Sequence, residues 1–135
     1  MRTITSHTVE GDAANHQLKI DVLDEPGAGG ANHAYEISWE PKPVPPQPGF
    51  RQEFIAKKRI PIWFQNGPIL EASVNGVTQE ALAAIIIDRL ESFQSGPFAC
   101  EENQIALEHF KAGLAALQDR TKKRMARGVE GTHKP

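Results

Sequence analysis

The 135-residue chain has a single cysteine, Cys100, which excludes a disulfide framework within the chain and fits a reducing compartment. It lacks an excess of charge of either sign: 15 Lys and Arg against 17 Asp and Glu leave a net charge of -2. A general attraction to nucleic acid is therefore not expected, and anion binding would have to come from local clusters. No apolar run approaches membrane-spanning length, and Met1-Arg2-Thr3-Ile4-Thr5 leads into polar sequence instead of an apolar signal region. The expectation is a soluble intracellular protein with no membrane partner.

Catalytic constellations are also missing. His7, His16, His33 and His133 have no metal-ligand spacing with one another or with a second cysteine. His109 follows Cys100 by nine residues, more than two helical turns, so the two do not form a nucleophile–base pair. Glu101 and Glu102 open a helix, where negative charge complements the dipole, a role that outweighs acid/base chemistry. No catalytic residue, metal site or cofactor is assigned, and the chain is not expected to be an enzyme.

What the sequence does have is a pair of amphipathic helices over residues 77 to 127, broken at Ser95-Gly96-Pro97. Leu82, Ile85, Ile86, Leu90 and Phe93 recur at spacings of three and four on the first, and Leu107, Phe110, Leu114 and Leu117 do so on the second. So short a break folds the helices into an antiparallel hairpin. Two helices cannot bury both stripes alone, so a sheet face is expected to cover part of them, and a chain this small is also expected to self-associate.

The preceding residues 1 to 76 read as β-rich. Residues 2 to 9 favour strand, and Gln17 to Leu23 alternates Leu18, Ile20 and Val22 inward against Lys19 and Asp21 outward. Pro26-Gly27-Ala28-Gly29-Gly30 is a connector, without the ending or following helix of a nucleotide loop. His33 to Glu40 alternates again through Tyr35, Ile37 and Trp39. Residues 41 to 48 contain five prolines, a stiff excursion. Phe50 to Ala56 and Ile60 to Phe64 are further strands flanking Lys57-Lys58-Arg59, followed by turns at Gln65-Asn66-Gly67-Pro68 and Asn75-Gly76 and an N-cap at Thr78. The fold class is α+β: one domain over residues 1–135, with a small, mostly antiparallel sheet, the hairpin over 77–127 and a tail over 128–135.

Arg120, Lys122, Lys123, Arg124 and Arg127 crowd the end of the second helix, where cations also complement the dipole. Phe93 and Asn103 lie near the turn, and Arg120 lies about 25 Å further along the helix, too far for one small ligand. Hairpins running antiparallel across a two-fold axis would bring the far end of one to the turn of the next. An aromatic face, an amide and a guanidinium would then meet, a set suited to a nucleotide.

Several spaced motifs together carry a resemblance: Phe64-Gln65-Asn66-Gly67-Pro68, Val74-Asn75-Gly76-Val77-Thr78, Asp88-Arg89-Leu90, Phe93 to Phe98, Cys100 to Asn103, and Arg127 to His133. Over residues 64 to 133 the chain resembles the phage Thoeris anti-defence family, whose helical hairpin is shared with a phage anti-CBASS sponge. The resemblance implies sequestration, without cleavage, of cyclic ADP-ribose isomers made by TIR-domain enzymes, in the host bacterial cytoplasm. It implies Phe93 as stacking face, Asn103 as polar reader and Arg120 as phosphate or base-plane partner. A looser match adds Trp39 and Arg51. Family members form dimers and hexamers, and some take cyclic trinucleotides at a separate site, for which Arg124 and Arg127 with residues 130–133 are the candidates here. Two other readings stay open: a cyclic-nucleotide-cleaving enzyme, and a structural or nucleic-acid-binding phage protein using the basic helix end.

Overall fold

A computed structural model describes residues 1–41, 48–49 and 56–135. The chain divides into two compact units, Met1–Trp63 and Phe64–Pro135. In the first, β1 (Arg2–Ile4), β2 (Lys19–Val22), β3 (Ala34–Trp39) and β4 (Lys58–Trp63) are antiparallel neighbours in spatial order. Ile20 pairs with Ile4 and Ile37, and Ile37 with Ile60, so period-two alternation lines these isoleucines up on one face with Val22, Tyr35 and Ile62. The expected α+β layout, an antiparallel sheet ahead of a helical hairpin, is present.

The other sheet face is in part the solvent face that the alternation predicts, with Lys19 exposed, but Asp21 departs from it. Asp21 is buried at 7% exposure: Thr3 Oγ1 donates to its Oδ1 at 3.0 Å, and Lys19 Nζ lies 3.6 Å from Oδ2. Ser38, on the same face, is fully buried. Alternation separates the faces but does not report what covers them, and a buried carboxylate is tolerated because both oxygens have partners. Lys58 and Arg59 lie inside β4 instead of before it; Arg59 Nη1 donates to Glu36 Oε1 at 2.9 Å across the β3–β4 pair. The expected strand at Phe50 to Ala56 falls, apart from Ala56, outside the described residues, as does most of the proline excursion.

The β2–β3 connection is closed by Asp24, whose Oδ2 accepts the His33 N–H at 2.9 Å. That bond, ahead of the others it accepts, holds the carboxyl below the ordinary aspartate value. A single-turn helix, α1 (Ala13–His16), is capped by Asp12 Oδ1, which accepts from Ala14 and Asn15. It is too short to leave a periodic signal.

In the second unit an amide-stapled knot precedes the hairpin. Gln65 Nε2 donates to the carbonyls of Gly67 and Ser73 while its Oε1 accepts from Asn75 N–H. Asn75 in turn bonds the Asn66 peptide in both directions, at 2.8 and 2.7 Å. Phe64 bridges Val77 in parallel, and a second one-turn helix, α2 (Ile69–Ala72), fills the loop between. Then come α3 (Gln79–Gln94), with Thr78 Oγ1 accepting from Ala81 N–H, and α4 (Glu101–Ala126), with Glu101 and Glu102 in its first turn.

The knot stores strain at Ser73, whose φ of 60° and ψ of -179° lie in a region that only glycine adopts without cost. Replacing Ser73 with Gly relieves roughly 1–3 kcal/mol of strain, less glycine's greater entropy in the unfolded chain. The Ser73→Gly variant should therefore melt several degrees higher by calorimetry; an unchanged or lower melting temperature would show that the knot carries no such strain.

Candidate functional site

The hairpin turn is set by one side chain. Gln94, the last residue of α3, bonds the Cys100 peptide twice: its Oε1 accepts from Cys100 N–H and its Nε2 donates to Cys100 O, both at 3.0 Å. Nε2 also lies 3.3 Å from Gln104 Oε1 on the first turn of α4. Cys100 itself is exposed and contributes through its backbone. The helices are further tied by Lys111 Nζ, 3.1 Å from Glu91 Oε1.

Beside this turn lies an open cleft of about 500 Å³ lined by Ile86, Arg89, Leu90, Phe93, Phe98, Asn103, Ala106 and Phe110. That volume is in the range of small-molecule sites. Phe93 and Asn103, two of the residues singled out from the sequence, meet here. Phe93 is 40% exposed and Phe98 74%, so their rings are open to a ligand. The cleft continues along the hairpin into a second apolar groove of about 490 Å³, which shares Ile86 and Phe110 and adds Leu82, His109, Leu114 and Leu117. Described residues that line the cleft supply aromatic faces, one amide and one guanidinium, which are groups for stacking and hydrogen bonding; none of them is a carboxylate, histidine or cysteine.

Six lining residues were not singled out from the sequence as ligand contacts, among them Arg89, Phe98 and Phe110. Arg89 precedes Phe93 by four residues, so helical spacing could have found it; its guanidinium carbon sits 5.3 Å from the centre of the Phe93 ring. Arg120 is exposed on α4 and does not line the cleft. Trp39 ends β3 in the first unit and is half-buried. Arg51 lies outside the described residues.

Of the second-site candidates, Arg127 is the exposed C-cap of α4, whereas Arg124 is 8% exposed and committed to the tail. Its Nε donates to Glu130 Oε2 at 3.0 Å, Nη1 to Lys134 O at 2.6 Å, and Nη2 to Val129 O and Thr132 O. The tail is brought there by a Schellman stop: Val129 N–H reaches Arg124 O, Gly128 N–H reaches Met125 O, and Gly128 adopts φ +71°. Leu70 N–H then donates to Gly131 O, and His133 Nδ1 lies 3.0 Å from Glu71 Oε1. The motif Arg127 to His133 is thus a helix stop and a latch.

The fold and cleft define a class: an α+β protein whose helical hairpin presents an aromatic, apolar, ligand-sized groove at its turn. Comparison with known proteins narrows it. Residues 56–122 match the family described as Acb2/Tad1, hairpin domain. Over 78 residues, 58% of this chain, the sequence is 45% identical to Thoeris anti-defense 1 of Bacillus phage SBSphiJ7. That match covers 55% of the relative, so the chain spans about half the length of the curated protein it matches. Residues 56–122 therefore carry a hairpin similar to that domain, and the chain is similar to a phage anti-Thoeris protein.

Because Arg124 bonds three tail carbonyls and a carboxylate from a buried position, Arg124→Ala should lower stability by about 2–4 kcal/mol in urea unfolding. Arg124→Lys should rescue little of it, since an ammonium cannot reproduce the fork. Unchanged stability with weakened ligand binding would instead return Arg124 to the binding role.

Proposed function

We propose that this protein binds a cyclic ADP-ribose isomer made by TIR-domain enzymes and withholds it from its effector without cleaving it, blocking Thoeris immunity in the host bacterial cytoplasm. The observation that carries this reading is the convergence of Phe93 and Asn103 on one ligand-sized cleft whose lining stacks and hydrogen-bonds. The hairpin-domain match and the similarity to a phage anti-Thoeris protein support the same reading. Phe93 supplies the stacking face, Asn103 reads a polar edge, and Arg120, from a second copy, pairs with phosphate or a base plane. Trp39 and Arg51 remain candidates for a second stacking face and a second phosphate contact.

Self-association is part of the proposal. Val22, Leu107 and Val129 are the only buried hydrophobic side chains among the described residues, while Ile85, Ile86, Phe93, Phe98, Ile105 and Phe110 stay exposed on the hairpin. That much exposed apolar side chain on one hairpin favours association. A partner hairpin running the opposite way in a dimer or hexamer would cover it and deliver Arg120 to the turn. A separate site for cyclic trinucleotides would draw on Arg127.

Incubating the protein with cyclic ADP-ribose isomers, heating it and analysing the released nucleotide tests the reading. Intact ligand is the expected result; a linear product would make the protein an enzyme, and no retained ligand would end the proposal. Arg120→Ala should abolish nanomolar affinity in calorimetry while leaving the oligomer intact by light scattering. Phe93→Ala should weaken binding by about tenfold or more, the loss of one stacked base. A protein that is monomeric yet binds tightly would refute the two-copy site.

A further inference from the structure

Arg89 is the one charged residue among the described residues lining the cleft. It lies over the Phe93 ring at 5.3 Å, one helical turn N-terminal to it. Across the hairpin, Lys111 is differently placed, held by Glu91. Arg89 has no carboxylate or hydrogen-bond partner among the described residues, so its five N–H donors stay available. A guanidinium resting on an aromatic face is already oriented by the ring, which reduces the ordering cost of engaging an anion.

We infer that Arg89 is the phosphate-reading residue of the cleft, supplied by the same hairpin as Phe93 and Asn103, so that a single hairpin discriminates a phosphate-bearing nucleotide from its nucleoside. This rests on reading the cleft as a nucleotide site. Arg89 covers one face of Phe93, the base stacks on what the ring leaves open, and Asn103 meets the base edge across the same cleft. The base and phosphate of one ligand then fall within the length of one cleft. Of the two roles open to Arg120 from a second copy, this inference requires the base plane, which leaves selection for phosphate to Arg89.

Calorimetry with adenosine, ADP, ADP-ribose and cyclic ADP-ribose tests this in the wild type and in Arg89→Gln. The wild type should prefer the phosphate-bearing probes over adenosine by about ten- to hundredfold, the weight of a charge-assisted hydrogen bond. Arg89→Gln should lose that preference, and its salt dependence, so that the phosphate-bearing probes bind no more tightly than adenosine. Arg89→Met keeps the aliphatic stem and the helix preference, and serves with the same two outcomes if Arg89→Gln melts early. A wild type without phosphate preference, or a preference that survives in the variant, overturns the inference. If the linear nucleotides show an Arg89-dependent preference and no cyclic isomer binds, the proposed ligand fails while the role of Arg89 stands.

Discussion

The two hydrogen bonds between the Gln94 side-chain amide and the Cys100 peptide decide what this hairpin can do. They fix where α3 stops and α4 starts, with Ser95 to Ala99 as the reversal between. Each helical residue rotates a side chain by about 100°, so a shift of one residue in either boundary would carry Phe93 or Asn103 off the shared face. Because Gln94 meets both the N–H and the C=O of Cys100, the register of the turn is set by hydrogen-bond geometry. Apolar packing alone would tolerate slippage. The aromatic cleft follows from that registration.

Most of the motifs that distinguish this sequence turn out to build the scaffold. Gln65 and Asn75 tie the knot ahead of α3, while Gly128, Glu130 and Thr132 end α4 and engage Arg124. Only the Asp88-Arg89-Leu90 and Phe93-to-Asn103 motifs reach the cleft. The division has a physical basis. A ligand site on an open hairpin needs helix ends that do not fray, and here both ends of the pair are held by side-chain bonds to backbone carbonyls and amides.

The hairpin was legible because its apolar periodicity, its Thr78 cap and its Gly-Pro break all agree, and the strands were legible because Leu18 to Val22 and Tyr35 to Trp39 alternate. The burial of Asp21 was not, since alternation assigns a residue to a face without saying whether anything covers that face. The helices Ala13–His16 and Ile69–Ala72 escaped because four residues are too few for a period. In the site, Phe93 and Asn103 could be paired by their positions around the turn. Arg89 was passed over because an arginine on an amphipathic helix ordinarily marks the solvated face, although its four-residue spacing from Phe93 was a signal that the fold bears out by turning it onto the ring. Arg124 was misleading for the converse reason: in a run of basic residues nothing marks the one whose guanidinium is folded inward.

The proposed sponge role sets an energetic demand that one hairpin does not meet. Competing with a receptor calls for nanomolar affinity, about -12 kcal/mol. One cleft offers one or two stacking contacts at roughly 1–3 kcal/mol each, and bonds from Arg89 and Asn103 at roughly 1.5–3 and 0.5–1.5 kcal/mol. Against these stands the loss of ligand freedom, at least about 4 kcal/mol. The sum falls short of the threshold by several kcal/mol, so a lone hairpin would select a nucleotide without retaining it. Retention requires further groups already in place before the ligand arrives, and the exposed apolar groove along Leu82, Ile86, Phe110 and Leu117 is the surface through which another copy could supply them. Selection and retention would then reside in different parts of the assembly: the first in the turn of one hairpin, the second in the contact between two.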